Sequence, residues 1–216
     1  MIDPQRAAPA PTHGDARAGA GDTVYLAAAD ADGNMVSLIQ SNYMGFGSGV
    51  TVAPFGFGLQ NRGSQFALDA SHANAYAPGK RPFHTIIPAF AMKDGEALLA
   101  FGVMGAAMQP QGQVQVLTNM LDFGLGLQGA GDAPRVRHEG STEPTGAPPL
   151  AHGGTVHLEP GFTAAALEGL RARGHRVEVT ADQAPFGGYQ AIRRDLRHGV
   201  YLGASESRKD GHAAGF

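Results

Sequence analysis

Gly21-Asp22-Thr23-Val24-Tyr25-Leu26 marks the point where one kind of sequence stops and another begins. Residues 1 to 22 carry Pro4, Pro9 and Pro11 among alanines, glycines and aspartates, the composition of an exposed linker. Beyond them, Val24 to Ala29 reads as a strand, Asp32-Gly33-Asn34 as a turn, and Met35 to Ser41 as the returning strand of a hairpin. Thr23 heads that hairpin. A threonine hydroxyl inside a chain is a poor nucleophile, because nothing beside it takes its proton. Cutting the bond before it frees an α-amine that can act as the base. Most threonines that lead a strand are structural. Thr23 is nonetheless a candidate nucleophile, because the flexible leader makes the Asp22–Thr23 bond accessible to cleavage.

The remaining elements extend outward from this hairpin. Gly45-Phe46-Gly47-Ser48-Gly49 allows close backbone approach, and residues 53 to 82 show no periodicity and read as a long loop region. Ile86 to Lys93 and Glu96 to Gly102 form a second hairpin around Asp94-Gly95. Val114, Leu117, Met120 and Leu121 keep helical spacing and predict a helix over 109–123. Residues 139 to 154 are a Pro/Gly-rich connection. Strand Thr155 to Glu159 then precedes an amphipathic helix from Phe162 to Arg173, ended by Gly174. Arg176 to Thr180, Tyr189 to Arg193 and Val200 to Ala204 complete the strands. Adjacent strand pairs separated by helices predict an α+β fold with mostly antiparallel sheets, not a doubly wound one. Several strands are apolar on both faces, as in a sheet covered on both sides. The expected organisation is a leader, 1–22, and one domain, 23–216.

Composition excludes several function classes. The 216 residues carry 16 basic and 19 acidic side chains, for a net charge of -3, with no basic run to meet a nucleic acid. There is no cysteine, so disulfides, thiolate metal sites and cysteine nucleophiles are all absent. No apolar run reaches the roughly 18 residues of a membrane span. Met1-Ile2-Asp3-Pro4-Gln5-Arg6 has no signal-like apolar core, which makes cytoplasm the default expectation; a periplasmic location would need a signal further upstream. Nine histidines are present without HxxxH or HExxH spacing, and His152 and His157 lie five apart, so neither a metal site nor another cofactor is expected. Ser48 lacks the GxSxG pattern, and no phosphate-binding GxxxxGK[ST] occurs. Gly102-Val103-Met104-Gly105-Ala106-Ala107, after an apolar strand, is either an N–H-presenting turn of the kind that builds an oxyanion hole or a tight turn needed for packing.

Taken together, a series of short motifs resembles the small subunit of the γ-glutamyltransferase (γ-glutamyltranspeptidase) family of N-terminal nucleophile hydrolases. They are Asp22-Thr23-Val24-Tyr25, Asp30-Ala31-Asp32-Gly33-Asn34-Met35-Val36-Ser37, Phe46-Gly47-Ser48-Gly49, Gly79-Lys80-Arg81-Pro82, the glycine turn at 102–105, Asp132-Ala133-Pro134-Arg135, and Gly203-Ala204-Ser205-Glu206-Ser207-Arg208. Each is weak alone; their order and spacing cover the chain from residue 22 onward.

The resemblance implies a precursor that cuts itself between Asp22 and Thr23, with residues 1–22 as the tail of a large subunit and Thr23 as nucleophile for cleavage and turnover. It implies the C-terminal half of an αββα sandwich. Ser41 falls where the family supports the nucleophile's hydroxyl, and Gly105 and Ala106 fall on its oxyanion hole. The substrate-binding positions carry Tyr43 for an asparagine, Arg62 and Gln65 for the pair that holds an α-ammonium, and His84-Thr85 for a serine pair that binds an α-carboxylate. Those departures point to the γ-glutamyltransferase-like, cephalosporin-acylase-like branch. The implied activity is an amidohydrolase or acyltransferase acting on glutathione or another γ-glutamyl or acyl amide, with a large-subunit partner. The alternative is a non-catalytic fragment or subunit that needs that partner to fold and act.

Overall fold

The computed structural model describes residues 22–141, 143–150 and 153–216. The leader up to residue 21 and His152 therefore lie outside the described residues. The first hairpin is β1 (Asp22–Ala29) against β2 (Met35–Tyr43), antiparallel. Its turn is closed by Asp30, whose Oδ1 accepts the Asp32 and Asn34 N–H groups at 3.0 and 2.9 Å, while Gly33 takes φ +90°. Side chains alternate along β1. Thr23 and Tyr25 point inward, and Val24 and Leu26 are about half exposed on the outer face, beside Val36 and Leu38 of β2.

Two short strands, β3 (Thr51–Val52) and β4 (Phe57–Gly58), come next, then one 3-10 turn at Arg62–Gln65. The expected loop region over 53–82 is thus largely irregular. A four-stranded antiparallel sheet carries the core in the order β11-β10-β6-β5. Its strands are β5 (Ala89–Lys93), β6 (Glu96–Met104), β10 (Gly188–Asp195) and β11 (Val200–Ser205). The β5 strand begins three residues later than its apolar run, because Pro88 has no N–H to give the ladder.

The β1–β2 hairpin packs on one face of β6 and β10; α1 (Met108–Leu121) and α2 (Leu127–Asp132) cover the other. Leu99, Phe101, Val103, Val116, Leu127, Ala130, Tyr189 and Ala191 form the buried cluster on the helical side. On the hairpin side Gly102 leaves room for Tyr25: a Cβ there would sit 2.4 Å from the ring. Burial pushes the Tyr25 phenol up to about 12, against the opposing pull of its hydrogen bond to Ser37. β6 is buried on both faces from Leu99 to Val103, as its apolar run predicts, whereas the outer face of the hairpin is open among the described residues.

A three-stranded sheet, β7 (Val136–Glu139), β8 (Thr155–Leu158) and β9 (Arg176–Val179), pairs β7 with β8 antiparallel, within the mostly antiparallel fold expected, and adds one parallel pair. β8 and β9 are parallel, joined by the crossover helix α3 (Ala164–Ala172), whose Thr163 cap accepts the Ala166 N–H at 3.2 Å.

A buried ionic cluster ties these parts together. Arg135 donates to Glu206 Oε2 at 2.6 Å, and its backbone N–H to Glu159 Oε2 at 2.7 Å. Arg208 reaches Glu159 Oε1 at 2.5 Å and Glu206 Oε1 at 2.7 Å. The Phe186 carbonyl accepts from Arg135 Nη1 and the Gly131 carbonyl from Nη2, Nε has no partner among the described residues, and the Tyr189 N–H donates to Glu206. Burial raises the Glu206 carboxyl's pKa, but Arg135 and the Arg208 hydrogen bond outweigh it and leave the group below its ordinary value. Among the described residues no helix is long and apolar enough to cross a membrane.

Candidate active site

Strand alternation aims the Thr23 side chain inward, where it is 9% exposed. Its hydroxyl donates to Ser41 Oγ at 2.8 Å, directly across the hairpin. Ser41 Oγ also accepts the Tyr43 N–H at 2.8 Å, so both of its lone pairs are used. Pairing slips at this point: Thr23 lies opposite Ser41, but Asp22 lies opposite Tyr43, and Asn42 is left over. The Asp22–Thr23 bond therefore faces a β-bulge, a distortion common beside active sites. Tyr43 leaves the bulge at φ +81°, a conformation that costs a bulky residue on the order of 1–3 kcal/mol.

The bulge also positions the loop behind it. The Asn42 carbonyl accepts the Asn61 N–H at 3.0 Å, and the Asn61 side chain bonds the Met44 and Gly47 carbonyls at 3.2 and 3.1 Å. Arg62 is thereby fixed beside Tyr43, with its Cζ 4.9 Å from the ring centroid. Arg62 is 6% exposed, and among the described residues neither Nη1 nor Nη2 has a hydrogen-bond partner. Burial lowers its guanidinium pKa from the ordinary value, with a smaller opposing effect from Tyr43.

Arg62 and Tyr43 line a cleft of about 370 Å³. Gln65, His84, Thr85 and Ala106 line it as well, so six of the side chains singled out in the sequence converge there. Thr85 is buried, and its hydroxyl has no partner among the described residues. His84 Nδ1 accepts the Ile86 N–H at 3.2 Å, which assigns its proton to Nε2. Thr23 and Ser41 are not lining residues; they meet the cleft through the Ser41–Tyr43 hydrogen bond. The structure adds His138, Glu139, Ser141 and Glu143, which sequence reasoning missed. They come from β7 and the loop after it, and the one signal for them is the polar run Arg137-His138-Glu139. Glu139 is already engaged by Arg137 and, at 3.0 Å, by His157 Nε2. Glu143 is exposed. Among the described residues no three His, Asp or Glu side chains gather as a metal site would require.

The wall formed by the β6–α1 turn is strained too. Gly105 has φ +133° and sits so close to Gly187 that a Cβ would fall 2.8 Å from its Cα. Ala106 has φ +49°, a conformation that L-residues rarely adopt. The two carbonyls accept the Met108 and Gln109 N–H groups at 2.9 and 3.1 Å and start α1, while the Gly105 and Ala106 N–H groups donate to no partner among the described residues. Three described non-glycine residues have positive φ, and two of them, Tyr43 and Ala106, border this one cleft. The arrangement offers a hydroxyl held by a second hydroxyl, free amides, and a pocket with a buried positive charge.

Known proteins share this organisation. The gamma-glutamyltranspeptidase family pattern matches residues 1–216. The chain is 39% identical over 202 residues to the glutathione hydrolase-like YwrD proenzyme of Bacillus subtilis, and 38% identical over 201 residues to the oxamate amidohydrolase proenzyme of Klebsiella pneumoniae. Those matches take in 90% and 92% of this chain but 36% of each relative, so the chain spans about a third of their length. The solved cephalosporin acylase of Bacillus halodurans superposes with a TM-score of 0.78 at 48% identity, over 91% of this chain and 35% of that one. By fold, by sequence and by the ordered set of motifs around Thr23, the chain belongs to the gamma-glutamyltranspeptidase family.

Proposed function

We propose that this chain is the nucleophile-bearing part of an amidohydrolase or acyltransferase whose catalytic group is Thr23, freed by cleavage of the Asp22–Thr23 bond. In the cleavage step Thr23 Oγ1 attacks the Asp22 carbonyl carbon and the C–N bond breaks. Water then hydrolyses the resulting ester, leaving an Asp22 carboxylate and a Thr23 α-amine. In turnover that amine takes the hydroxyl proton as Oγ1 attacks a substrate amide, and passes it to the departing amine. Water, or an acceptor amine, releases the acyl group and restores the hydroxyl. Ser41 orients Oγ1, and the Gly105 and Ala106 N–H groups receive the developing oxyanion. The substrate is an acyl amide, in keeping with relatives named for glutathione, oxamate and cephalosporin chemistry.

The observation that carries this reading is the 2.8 Å Thr23–Ser41 hydroxyl pair beside a bulge that faces the scissile bond. Intact-mass spectrometry tests it: the purified protein should release a fragment ending at Asp22, and Thr23→Ala should stay whole. Persistence of the intact wild-type chain would refute autocleavage.

A partner-dependent reading is favoured by one feature, the open outer face of the hairpin with Val24, Leu26, Val36 and Leu38. The upstream part of the precursor would cover it. On this reading the chain self-associates when produced alone and becomes a defined species when the upstream part is supplied, as size-exclusion chromatography would record. A monodisperse isolated chain would rule that dependence out.

A further inference from the structure

We infer that Asn74 is a positioning residue of the cleft: its side-chain amide holds three of the cleft's walls at a fixed spacing. This role rests on the proposed acyl-transfer site, and it acts on substrate fit from outside the cleft.

Asn74 does not line the cleft, yet each of its side-chain partners does. Nδ2 donates to the Gln65 carbonyl at 2.6 Å and to the Pro144 carbonyl at 2.9 Å. Oδ1 accepts the Phe83 N–H at 2.9 Å, just before His84 and Thr85. Two carbonyls on one side and an N–H on the other leave the amide one workable orientation. The partners belong to the 62–65 turn, the segment entering β5 and the loop after β7. None of these pieces is a strand or an α-helix, and among the described residues no other hydrogen bond joins any two of them. Asn74 is itself anchored. Its N–H donates to His72 Nδ1 at 3.1 Å, and its carbonyl accepts the Ala67 N–H at 3.0 Å. Irregular segments have no ladder to fix them, so one amide with every donor spent sets their spacing.

The opposite wall has its own fastening. Gln111 donates to the Ala107 and His138 carbonyls and accepts the His138 N–H, tying β7 to the β6–α1 turn. One helical turn on, Gln115 makes the same two-point pair with Val136, and neither of those residues lines the cleft. Gln115 is therefore a matched control, with similar bonds at a distance from substrate.

Hydrogen–deuterium exchange of the full protein reads the positioning, and kinetics read its effect. Asn74→Ala should speed exchange in peptides covering 62–66, 82–86 and 143–147, while β6 stays protected. Asn74→Asp keeps an acceptor for the Phe83 N–H but sets an oxygen against two carbonyls. In that variant 82–86 should stay slow and the other two segments should loosen. Thr23, Ser41 and the Gly105–Ala106 turn share no hydrogen bond with Asn74 among the described residues. With the better hydrolysed of glutathione and oxamate as probe, Asn74→Ala should therefore raise KM about tenfold and change kcat less than about threefold. Gln115→Ala should leave KM within about twofold. Faster exchange in β6 as well, or unchanged exchange in the three segments, would overturn the inference. So would an unchanged KM, a tenfold loss of kcat, or an equal KM rise in Gln115→Ala. Should Asn74→Ala fail to fold, the Asn74→Asp pattern decides. If the wild type hydrolyses neither probe, the proposed function fails, and the exchange patterns alone decide whether Asn74 holds the three segments.

Discussion

Arg135 and Arg62 are withdrawn from water to nearly the same degree, 1% and 6% exposed, and the chain treats them in opposite ways. Arg135 is met on its Nη atoms by Glu206, the Phe186 carbonyl and the Gly131 carbonyl, and Arg208 closes the circuit through the same Glu206 and through Glu159. Among the described residues, the Arg62 Nη atoms have no hydrogen-bond partner and the guanidinium lies against the Tyr43 ring. A guanidinium paired with a carboxylate and carbonyls through both Nη atoms has a structural role, even with Nε unpaired among the described residues: it joins the α2–β7 connection to the end of β11. A guanidinium left without them, at the wall of a cleft between strained residues, is held ready for something else. Burial alone does not distinguish the two; the pairing of their Nη atoms does.

The largest effect that would test this contrast lies in the ionic cluster. Glu206→Gln leaves Arg135 and Arg208 short of a counter-charge in the interior and should cost about 3–5 kcal/mol of stability, read by denaturant unfolding. A loss under about 1 kcal/mol would show that the cluster is not a fold element. The same variant should change the acid response. Glu206 has its folded pKa below the ordinary 4.5, so its contribution is present above that value and lost as pH falls through the folded pKa. The wild type should lose stability below about pH 4.5 more steeply than Glu206→Gln, and parallel acid curves would contradict this.

On the other side, Arg62→Gln removes a buried charge that has no partner among the described residues. Stability should stay level or rise by up to about 2 kcal/mol. A drop of more than about 1 kcal/mol would move Arg62 to the structural side. The smallest effect is at Ala106. Glycine takes φ +49° without a Cβ penalty but costs more chain entropy on folding, so Ala106→Gly should gain about 0.5 kcal/mol, measured as a higher Tm. A lower Tm would show that the turn is not strained by its methyl group.

These regions differ also in how far the sequence reveals them. The first hairpin is legible because Asp30 and Gly33 specify its turn, and β6 because its apolar run exceeds what one face needs. Helix α2 is hidden by two glycines in Leu127-Gln128-Gly129-Ala130-Gly131-Asp132, and β7 by a stretch with one apolar residue, Val136. The parallel partnership of β8 and β9 is a choice of neighbour, which local pattern does not encode. In the site, Thr23, Ser41 and the Gly105-Ala106 turn can be read from ordered motifs. His138, Glu139 and Glu143 reach the cleft only through the packing of α1 against β7, and no spacing announces that. The pairing of Arg135 with Glu206 and the lack of Nη partners for Arg62 among the described residues are properties of three dimensions alone.

The bulge at Asn42 has a consequence in parity. In a regular antiparallel pair, residues directly opposite share a face, and faces alternate along each strand. Counting back from Thr23–Ser41, the residue facing Asp22 would be Asn42; it is Tyr43 instead. One supernumerary residue thus sets a two-residue step on β2 against a one-residue step on β1, at the bond whose cleavage would create the nucleophile. Removing Asn42 would restore one-to-one pairing, with Tyr43 still opposite Asp22 but now directly after Ser41. The aromatic platform under Arg62 would turn to the opposite side of the ribbon, though no group in the cleft itself had been altered.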